Sequence, residues 1–323
     1  MDLTVIVITL NGREMTLACL DAVFATVTKS FEVILVDNGS TDGTADEVAR
    51  RRASVNVLRN PENRGFAAAV NQGLKLARGR VIVLLNNDAR PEAGALDGLV
   101  DYLDSNPKAG MAGPQLLHED GRPQNSYDNC PTLASSVLNK GLLRVMLPSR
   151  YPSKRQPHSE PVEVESLIGA SLAVKREVVE KTGPLDEDYF VFLEETDWCL
   201  RARRAGWGVM FVPSLRVTHL QGRTREKIRA RARVEYVRSL FTYFRKNGGP
   251  AALLRALFFV KTLVELVSST VVGALTLFLW PRARRRFLEI AYLFVWQLAG
   301  CPASFGIAPA TWPAAAWRGA GHV

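Results

Sequence analysis

Three short apolar runs, rich in β-branched residues, dominate the start of this 323-residue chain. Each is continuous, as in a strand that is buried on both faces of a sheet: LTVIVIT (3–9), EVILV (32–36) and VIVLL (81–85). Helix-like stretches separate or precede them, at 13–28, 41–52 and 66–78. Buried strands that alternate with helices predict an α/β fold with a mostly parallel sheet and flanking helices.

Polar residues follow each of these strands. In an open parallel sheet the ligand lies at the carboxyl ends of the strands, so the residues that follow different strands converge on one edge. The residues concerned are Thr9 and Asn11 at the end of the first strand, Asp37 after the second, and Asn86, Asn87 and Asp88 after the third. The sequence therefore predicts a polar site at this edge.

Regular patterning weakens between residues 113 and 165, which predicts an irregular connection with a flexible loop near 148–161. Further elements are predicted after it: a strand at 164–174, a helix at 175–183, a strand at 207–213, a basic helix at 225–247, and apolar segments at 251–280 and 287–300 separated by PRARRR. The predicted organisation is an α/β domain over 1–222 and a basic, apolar helical region over 223–323.

The net charge of +9 is concentrated near the C-terminus, where residues 223–286 hold fifteen Lys or Arg and three acids. Such a basic region suggests an anionic partner, either nucleic acid or a membrane surface. The basic residues adjoin long apolar runs without interleaved aromatic platforms, so a membrane surface is favoured and nucleic acid is not expected. Four scattered cysteines indicate a reducing compartment.

Six motifs occur in an order that resembles family 2 glycosyltransferases, the inverting enzymes with a GT-A fold. The resemblance is greatest to bacterial rhamnosyltransferases of cell-surface glycan assembly, and it covers residues 3–222. The motifs are VIVITLNG (5–12), EVILVDNGSTDGT (32–44), NRGFAAAVNQGL (63–74), LLNNDA (84–89), GASLAVKRE (169–177) and FLEETDWCLRARRAGWGVMFVP (192–213).

The resemblance implies a site for a nucleotide-diphospho-sugar. Asp37 would accept a hydrogen bond from the imide N–H of uracil or thymine. The other donor-binding residues implied are Thr9, Asn11, Asn63, Arg64, Asn86, Asn87 and Arg223. Asp88 occupies the last position of the family's DxD motif, whose first acid is replaced here by Asn86. Asp88 and His219 would bind a divalent cation, Mg²⁺ or Mn²⁺.

The resemblance also implies a general base in the acidic cluster at Glu194 and Glu195. Glu195 takes the place of the aspartate of the family's ED pair and is the favoured base, with Glu194 left open. Gly169, Ala170 and Ser171 would let the acceptor approach the backbone closely, and Trp198 could stack on a sugar.

The function implied is transfer of a sugar, L-rhamnose from dTDP-rhamnose, to a polyprenyl-diphosphate-linked saccharide. UDP-sugars remain open as donors. Nucleotidyl transfer is an alternative reaction, but it would need a glycine-rich phosphate loop near the N-terminus, for which TLNGREMT is a poor candidate. A catalytically inactive nucleotide-sugar-binding scaffold is the other alternative, and the missing acid at Asn86 favours it.

The C-terminal region predicts attachment to an anionic inner-membrane surface. Segment 262–280 is close to spanning length but contains Glu265, and segment 287–299 is too short to cross comfortably. Helices lying in the interface, peripheral or monotopic at the cytoplasmic face of the plasma membrane, are favoured. A spanning hairpin and a helical pair packed on the catalytic domain are the alternatives.

Overall fold

The computed structural model describes residues 1–148, 158–220, 229–276 and 278–309. Most of the predicted loop at 148–161, together with Arg223, lies outside the described residues. The contacts divide the chain into two units. The first contains described residues of Met1–Cys130, Ser153–Glu187 and Glu194–Gln221, and the second contains those of Pro131–Pro152, Asp188–Leu193 and Gly222–Val323.

Strands form the centre of the first unit. They are β1 (Leu3–Thr9), β2 (Phe31–Asp37), β3 (Val55–Arg59), β4 (Val81–Asn86), β5 (Ala89–Pro91), β6 (Ala109–Leu117), β7 (Tyr127–Asp128), β8 (Val162–Glu163), β9 (Ser166–Leu167), β10 (Ser171–Lys175) and β11 (Gly208–His219). Among the described residues, nine strands form one sheet in the order β3-β2-β1-β4-β10-β6-β11-β5, with β8 paired to β11. β7 and β9 form a separate pair.

Helices account for the rest of the regular structure. Those of the first unit are α1 (Arg13–Thr26), α2 (Thr44–Arg51), α3 (Phe66–Leu76), α4 (Ala95–Ser105), α7 (Arg176–Thr182) and α8 (Glu194–Arg204). Those of the second unit are α5 (Leu133–Val137), α6 (Lys140–Met146), α9 (Arg229–Lys246), α10 (Ala251–Leu275) and α11 (Pro281–Leu298).

The predicted α/β fold is confirmed. β1 runs parallel to both β2 and β4, and in this register Thr9 lies opposite Asp37 while Ile8 lies opposite Asn86. The three strands therefore end at the same edge. β10 runs antiparallel between β4 and β6, so it begins at the edge where β4 ends.

Both faces of the sheet are covered by apolar packing. Successive side chains of a strand point to opposite faces, and those of β1 alternate between two separate clusters of buried residues. Val5 and Val7 belong to the cluster that includes Leu20 of α1, whereas Ile6 belongs to the cluster that includes Val70 of α3. Burial on both faces explains why the strand is apolar without alternation.

Several elements differ from the sequence prediction, among them β6, β3 and α11. Residues 109–117, mostly inside the predicted irregular connection, form the nine-residue strand β6. Gly113 interrupts the apolar pattern there because a Cβ at this position would lie 2.7 Å from Leu167. β3 was not predicted at all. α11 begins at Pro281, so PRARRR forms its first turns and is not a separator.

The second unit is helical in its described part and contains a buried ion pair. In α9, Arg238 Nη1 lies 3.0 Å from Glu235 Oε1, and both side chains are almost fully buried. Glu235 Oε2 also accepts hydrogen bonds from the backbone N–H groups of Ile307 and Ala308, at 3.0 and 3.2 Å. No helix among the described residues has the length and apolar character needed to cross a membrane.

Candidate active site

The ends of β1 and β2 bring Thr9 and Asp37 together. Asp37 is 5 % exposed and its Oδ1 accepts a hydrogen bond from the backbone N–H of Ser40 at 2.8 Å, which fixes the carboxylate at the turn after β2. Asn11 lies beside this turn with φ of +50°, and its Oδ1 accepts from the backbone N–H of Thr41 at 2.8 Å. The carboxylate and these loops form one polar surface.

Asn38 attaches the loop of Asn63 and Arg64 to that surface. Its Nδ2 donates to Asn63 Oδ1 at 2.9 Å and to the carbonyl oxygen of Gly65 at 3.1 Å. Its Oδ1 accepts from the backbone N–H of Arg64 at 3.0 Å. The amide of Asn38 therefore holds the start of α3 beside Asp37. Sequence analysis did not single out Asn38, because an asparagine after a strand gives no sign of its more distant partners.

Asn87 is held from inside the protein. Its Nδ2 donates to the hydroxyl oxygens of Thr9 and Thr16, both at 3.2 Å. Both amide hydrogens are thus engaged, so the carbonyl oxygen Oδ1 is the atom left to serve a ligand. A Cβ at residue 12 would lie 2.5 Å from Nδ2, so Gly12 makes room for this side chain.

Asp88 and His219 are brought together by the pairing of β5 with β11. His219 lies opposite Ala89 in the register, and its Nε2 lies 3.3 Å from Asp88 Oδ1. The backbone N–H of Leu220 donates to the carbonyl oxygen of Asp88 at 3.0 Å. On the other side of the ring, His219 Nδ1 lies 3.1 Å from Gln124 Oε1.

This pair fits one divalent cation. Two cis ligands with bonds of about 2.1 Å lie about 3 Å apart around an octahedral ion, close to the separation observed between Nε2 and Oδ1. Among the described residues no group of three or more His, Cys, Asp or Glu could hold a metal by itself. An ion here would therefore take other ligands from water or from the diphosphate of a nucleotide, as Mg²⁺ and Mn²⁺ commonly do.

Glu194 and Glu195 begin α8 and form an acidic pair, in which Glu194 is buried and Glu195 is partly buried. Burial raises the pKa of Glu195 to about 7, and the charge of Asp128 acts in the same direction. Burial, with the neighbouring charge of Glu195, raises the pKa of Glu194 well above its ordinary value. The residues before the pair, Phe192 and Leu193, have φ of +75° and +67°, a strained backbone of the kind that clusters at functional sites.

The segment Gly169–Ser171 connects the acidic pair with the end of β4. The backbone N–H of Asn86 donates to the carbonyl oxygen of Ala170 at 3.0 Å. A Cβ at Gly169 would lie 3.6 Å from Glu195 Cγ, so the two residues are neighbours. Two buried atoms of this region, Ser171 Oγ and Glu194 Oε2, make no hydrogen bond within the described part of the chain. The structure thus places the predicted acceptor segment between Asn86 and Glu195.

One predicted site residue does not belong to this surface. Trp198 is fully buried in the apolar core, and its indole N–H donates to the carbonyl oxygen of Gly183 at 2.9 Å. The ring is therefore closed off from an acceptor, and the expectation that it stacks on a sugar is wrong. The ring packs in the same buried cluster as Leu167, Leu172 and Phe211.

Comparison with known proteins supports the resemblance to family 2 glycosyltransferases that the motifs indicate. Residues 4–183 match the sequence profile of the family described as glycosyl transferase family 2. The chain belongs to this family. As a family 2 glycosyltransferase, it shares 32 % identity over 205 residues with an N-acetylglucosaminyl-diphospho-decaprenol L-rhamnosyltransferase of Mycobacterium tuberculosis. That match covers 58 % of this chain and 66 % of the relative, slightly less than two thirds of its length.

A second relative of this glycosyltransferase is a dTDP-rhamnosyl transferase, RfbF, of Shigella flexneri, which is 28 % identical over 68 % of this chain and 73 % of its own. Among solved structures, a mannosyltransferase of Pyrobaculum calidifontis in complex with GDP-Man and Mn²⁺ superimposes with a TM-score of 0.52 at 19 % identity, over 92 % of this chain and 86 % of that one. GalNAc-T7 with UDP, GalNAc and Mn²⁺ also gives a TM-score of 0.52, at 18 % identity, over 68 % and 43 %. These likenesses show the GT-A fold.

Proposed function

We propose that this glycosyltransferase moves L-rhamnose from dTDP-rhamnose to a polyprenyl-diphosphate-linked saccharide, with inversion at the anomeric carbon. The observation that carries the proposal is the placement of two acidic sites on either side of Gly169–Ser171. Asp88 with His219 lies near the end of β4, and Glu195 lies beside Gly169. The choice of rhamnose and of a lipid-linked acceptor is supported by the named activities of the two relatives.

The donor would bind along the edge formed by β1, β2 and β4. The fixed carboxylate of Asp37 can accept a hydrogen bond from the imide N–H of thymine or uracil, which both bases share. Asn63 and Arg64, held there by Asn38, would contact the base or a phosphate. The carbonyl oxygen of Asn87 can accept from a ribose hydroxyl. A divalent cation bound by Asp88 and His219 would neutralise the charge of the leaving diphosphate.

Glu195 would act as the general base. An inverting transfer needs one base to remove the proton of the acceptor hydroxyl as its oxygen attacks the anomeric carbon. A carboxylate with a pKa of about 7 is a better proton acceptor at neutral pH than an ordinary glutamate. Gly169 lies beside this carboxylate and has no side chain, which leaves space for the acceptor hydroxyl.

A transfer assay with matched donors tests the proposal. The full chain, in detergent, is incubated with N-acetylglucosaminyl-diphospho-decaprenol and either dTDP-rhamnose or a UDP-sugar, with Mg²⁺ or Mn²⁺. We expect a rhamnosylated lipid whose new linkage has the opposite anomeric configuration to the donor, as read by NMR. Transfer only from a UDP-sugar would change the donor assignment. Nucleotide binding without transfer from any donor would favour the inactive scaffold.

We further propose that the enzyme attaches to an anionic membrane through the second unit. α10 carries exposed large apolar side chains, between 49 and 80 % exposed, that recur at helical spacing along one face. This apolar stripe consists of Leu253, Val260, Val264, Val267, Val271 and Leu275. Such a face on a helix suits one that lies in the plane of the interface.

Cations adjoin the end of the apolar stripe. Leu279 and Trp280 are 78 and 52 % exposed, and α11 begins directly after them with exposed Arg282, Arg284, Arg285 and Arg286. Near an anionic surface each Lys or Arg contributes about 1 kcal/mol of attraction. The combination of an apolar stripe with adjacent arginines favours a lipid surface of negative charge over an uncharged one. A cytoplasmic-face, monotopic location follows from this proposal together with a lipid-linked acceptor.

Replacing Val264 and Val271 together by Glu should abolish vesicle binding. Removing two exposed valines from an apolar contact costs about 3 kcal/mol, which is about 100-fold in the partition coefficient. The measurement is flotation of the full chain with phosphatidylglycerol vesicles. The matched control is Val145→Glu, in α6 of the same unit, because Val145 is 81 % exposed but lies outside the stripe.

Equal flotation of the double variant and the control would contradict the proposed membrane face. Self-association of the wild-type chain without vesicle binding would instead assign the stripe to a second copy of the chain. Replacing Arg284, Arg285 and Arg286 by Gln should remove the preference for phosphatidylglycerol over phosphatidylcholine vesicles while leaving the stripe intact.

A further inference from the structure

We infer that Gln124 is a positioning residue: its side-chain carbonyl fixes the tautomer of His219 so that the Nε2 lone pair faces Asp88. The inference rests on the proposed cation site but concerns a residue in the segment between β6 and β7 that sequence analysis had regarded as irregular. Gln124 is 8 % exposed and makes all its side-chain contacts inside the first unit.

The orientation of the Gln124 amide is determined by its partners. Nε2 donates to the carbonyl oxygens of Leu117, at 3.1 Å, and of His219, at 2.5 Å. A carbonyl oxygen can only accept, so if the amide were flipped, its Oε1 would face two other acceptors at close range. His118 Nδ1 also lies 3.1 Å from Nε2. Because the nitrogen must face the two carbonyl oxygens, Oε1 must face the His219 ring.

The fixed amide then sets the proton on the ring. Oε1 lies 3.1 Å from His219 Nδ1 and can only accept, so Nδ1 carries the hydrogen. Only one nitrogen of a neutral imidazole carries hydrogen, and Asp88 Oδ1 also accepts, but it lies farther from Nε2 than the fixed Gln124 oxygen lies from Nδ1, so Nε2 keeps its lone pair. That nitrogen lies 3.3 Å from Asp88 Oδ1. The buried amide therefore orients two electron-pair donors toward one point, the arrangement that a cation needs and that partners behind a ligating His commonly provide.

Two substitutions separate positioning from structural support. Gln124→Met removes both the N–H donors and the accepting oxygen, whereas Gln124→Glu, buried against two carbonyl oxygens as the neutral acid, keeps an O–H that can donate to them and an oxygen that can accept from Nδ1. We expect Met to weaken Mn²⁺ binding about tenfold or more, and Glu to retain wild-type binding. A purely structural role predicts equal losses in the two variants. Mn²⁺ binding is followed by water-proton relaxation on the full chain.

The tautomer is read directly in metal-free protein by NMR of ¹⁵N-histidine, at a pH where the ring is neutral. The His219 signals are assigned from their absence in His219→Gln. We expect a protonated Nδ1 and an unprotonated Nε2 in the wild type and in Gln124→Glu, and loss of this preference in Gln124→Met. A wild-type ring protonated at Nε2 would overturn the inference, whether or not the enzyme is active.

The matched control is Gln115→Met. Gln115 lies in β6, and its Nε2 donates to the carbonyl oxygens of Leu116 and Gln124 and to Ser126 Oγ, at 2.7 to 2.9 Å. It supports the same segment without contacting the His219 ring. We expect this variant to leave the tautomer and Mn²⁺ affinity unchanged, and a loss equal to that of Gln124→Met would contradict a specific role for Gln124. A normal tautomer with no Mn²⁺ binding in the wild type would instead contradict the proposed cation site.

Discussion

Replacing Glu195 by Gln is expected to lower kcat by about 10³-fold, within the range found for loss of a general base. The amide has nearly the same shape but cannot accept the proton of the acceptor hydroxyl. Donor binding should be unchanged, because the predicted donor residues lie at the ends of β1, β2 and β4. The measurement combines single-turnover kinetics with a nucleotide titration, so that chemistry and binding are separated.

Two further variants test whether that loss of turnover is specific to Glu195. Glu177→Gln is the matched control, because Glu177 also lies in the first turn of a helix but is 58 % exposed; its turnover should remain normal. If Glu194→Gln loses turnover and Glu195→Gln does not, the base is Glu194.

The wild-type kcat should fall as the pH drops below about 7, where the Glu195 carboxylate takes up a proton. Asp128→Asn should move this fall to lower pH, because Asp128 raises the pKa of Glu195.

Replacing Asp88 by Asn is expected to weaken cation-dependent nucleotide binding at least about 100-fold. Loss of a partner behind a metal ligand already costs about 10- to 100-fold in affinity, and Asp88 would be a ligand itself and the one that supplies negative charge. Calorimetry with dTDP, in the presence and absence of Mn²⁺, measures the effect. The gain in affinity that Mn²⁺ gives to the wild type should disappear in the variant.

The control for Asp88 is Asp104→Asn. Asp104 is an acid at the other end of the sheet, where it pairs with Arg80 just before β4. Its removal should leave the Mn²⁺-dependent gain in nucleotide affinity intact. Should Asp88→Asn retain that gain, the cation is bound elsewhere, and the role of Asn86 in place of an acid would need another explanation.

The sequence predicted the sheet edge well because burial on both faces leaves a direct trace. β1, β2 and β4 are continuous apolar runs, and parallel pairing aligns their ends. Thr9, Asp37 and Asn86 could therefore be placed at one edge of the sheet from the sequence alone. The family resemblance supplied Glu195 and His219, which come from elements more than a hundred residues away.

Elements whose signal depends on tertiary packing were missed. β6 contains Gly113 because Leu167 occupies the space of its side chain, and local pattern analysis interprets such a glycine as a break. Trp198 illustrates the reverse error: its motif lies beside the acidic pair, but its ring packs in the apolar core of the sheet. Gln124 carried no signal at all, since its partners on β6 and β11 become neighbours only when the two strands pair in parallel.

Segments of the two units alternate along the chain, and this limits which segments related enzymes can exchange without breaking contacts inside a unit. Asp188–Leu193 belongs to the second unit, where Asp188 pairs with Lys246 at 2.6 Å and the carbonyl oxygen of Val191 accepts from Ser239 Oγ at 2.9 Å. The next residue is Glu194. A single genetic crossover near residue 222 would therefore give a hybrid in which Asp188–Leu193, directly before the acidic pair, comes from one parent. α9, which this segment contacts, would come from the other parent. New acceptors are more readily reached by point substitution than by exchange of whole modules.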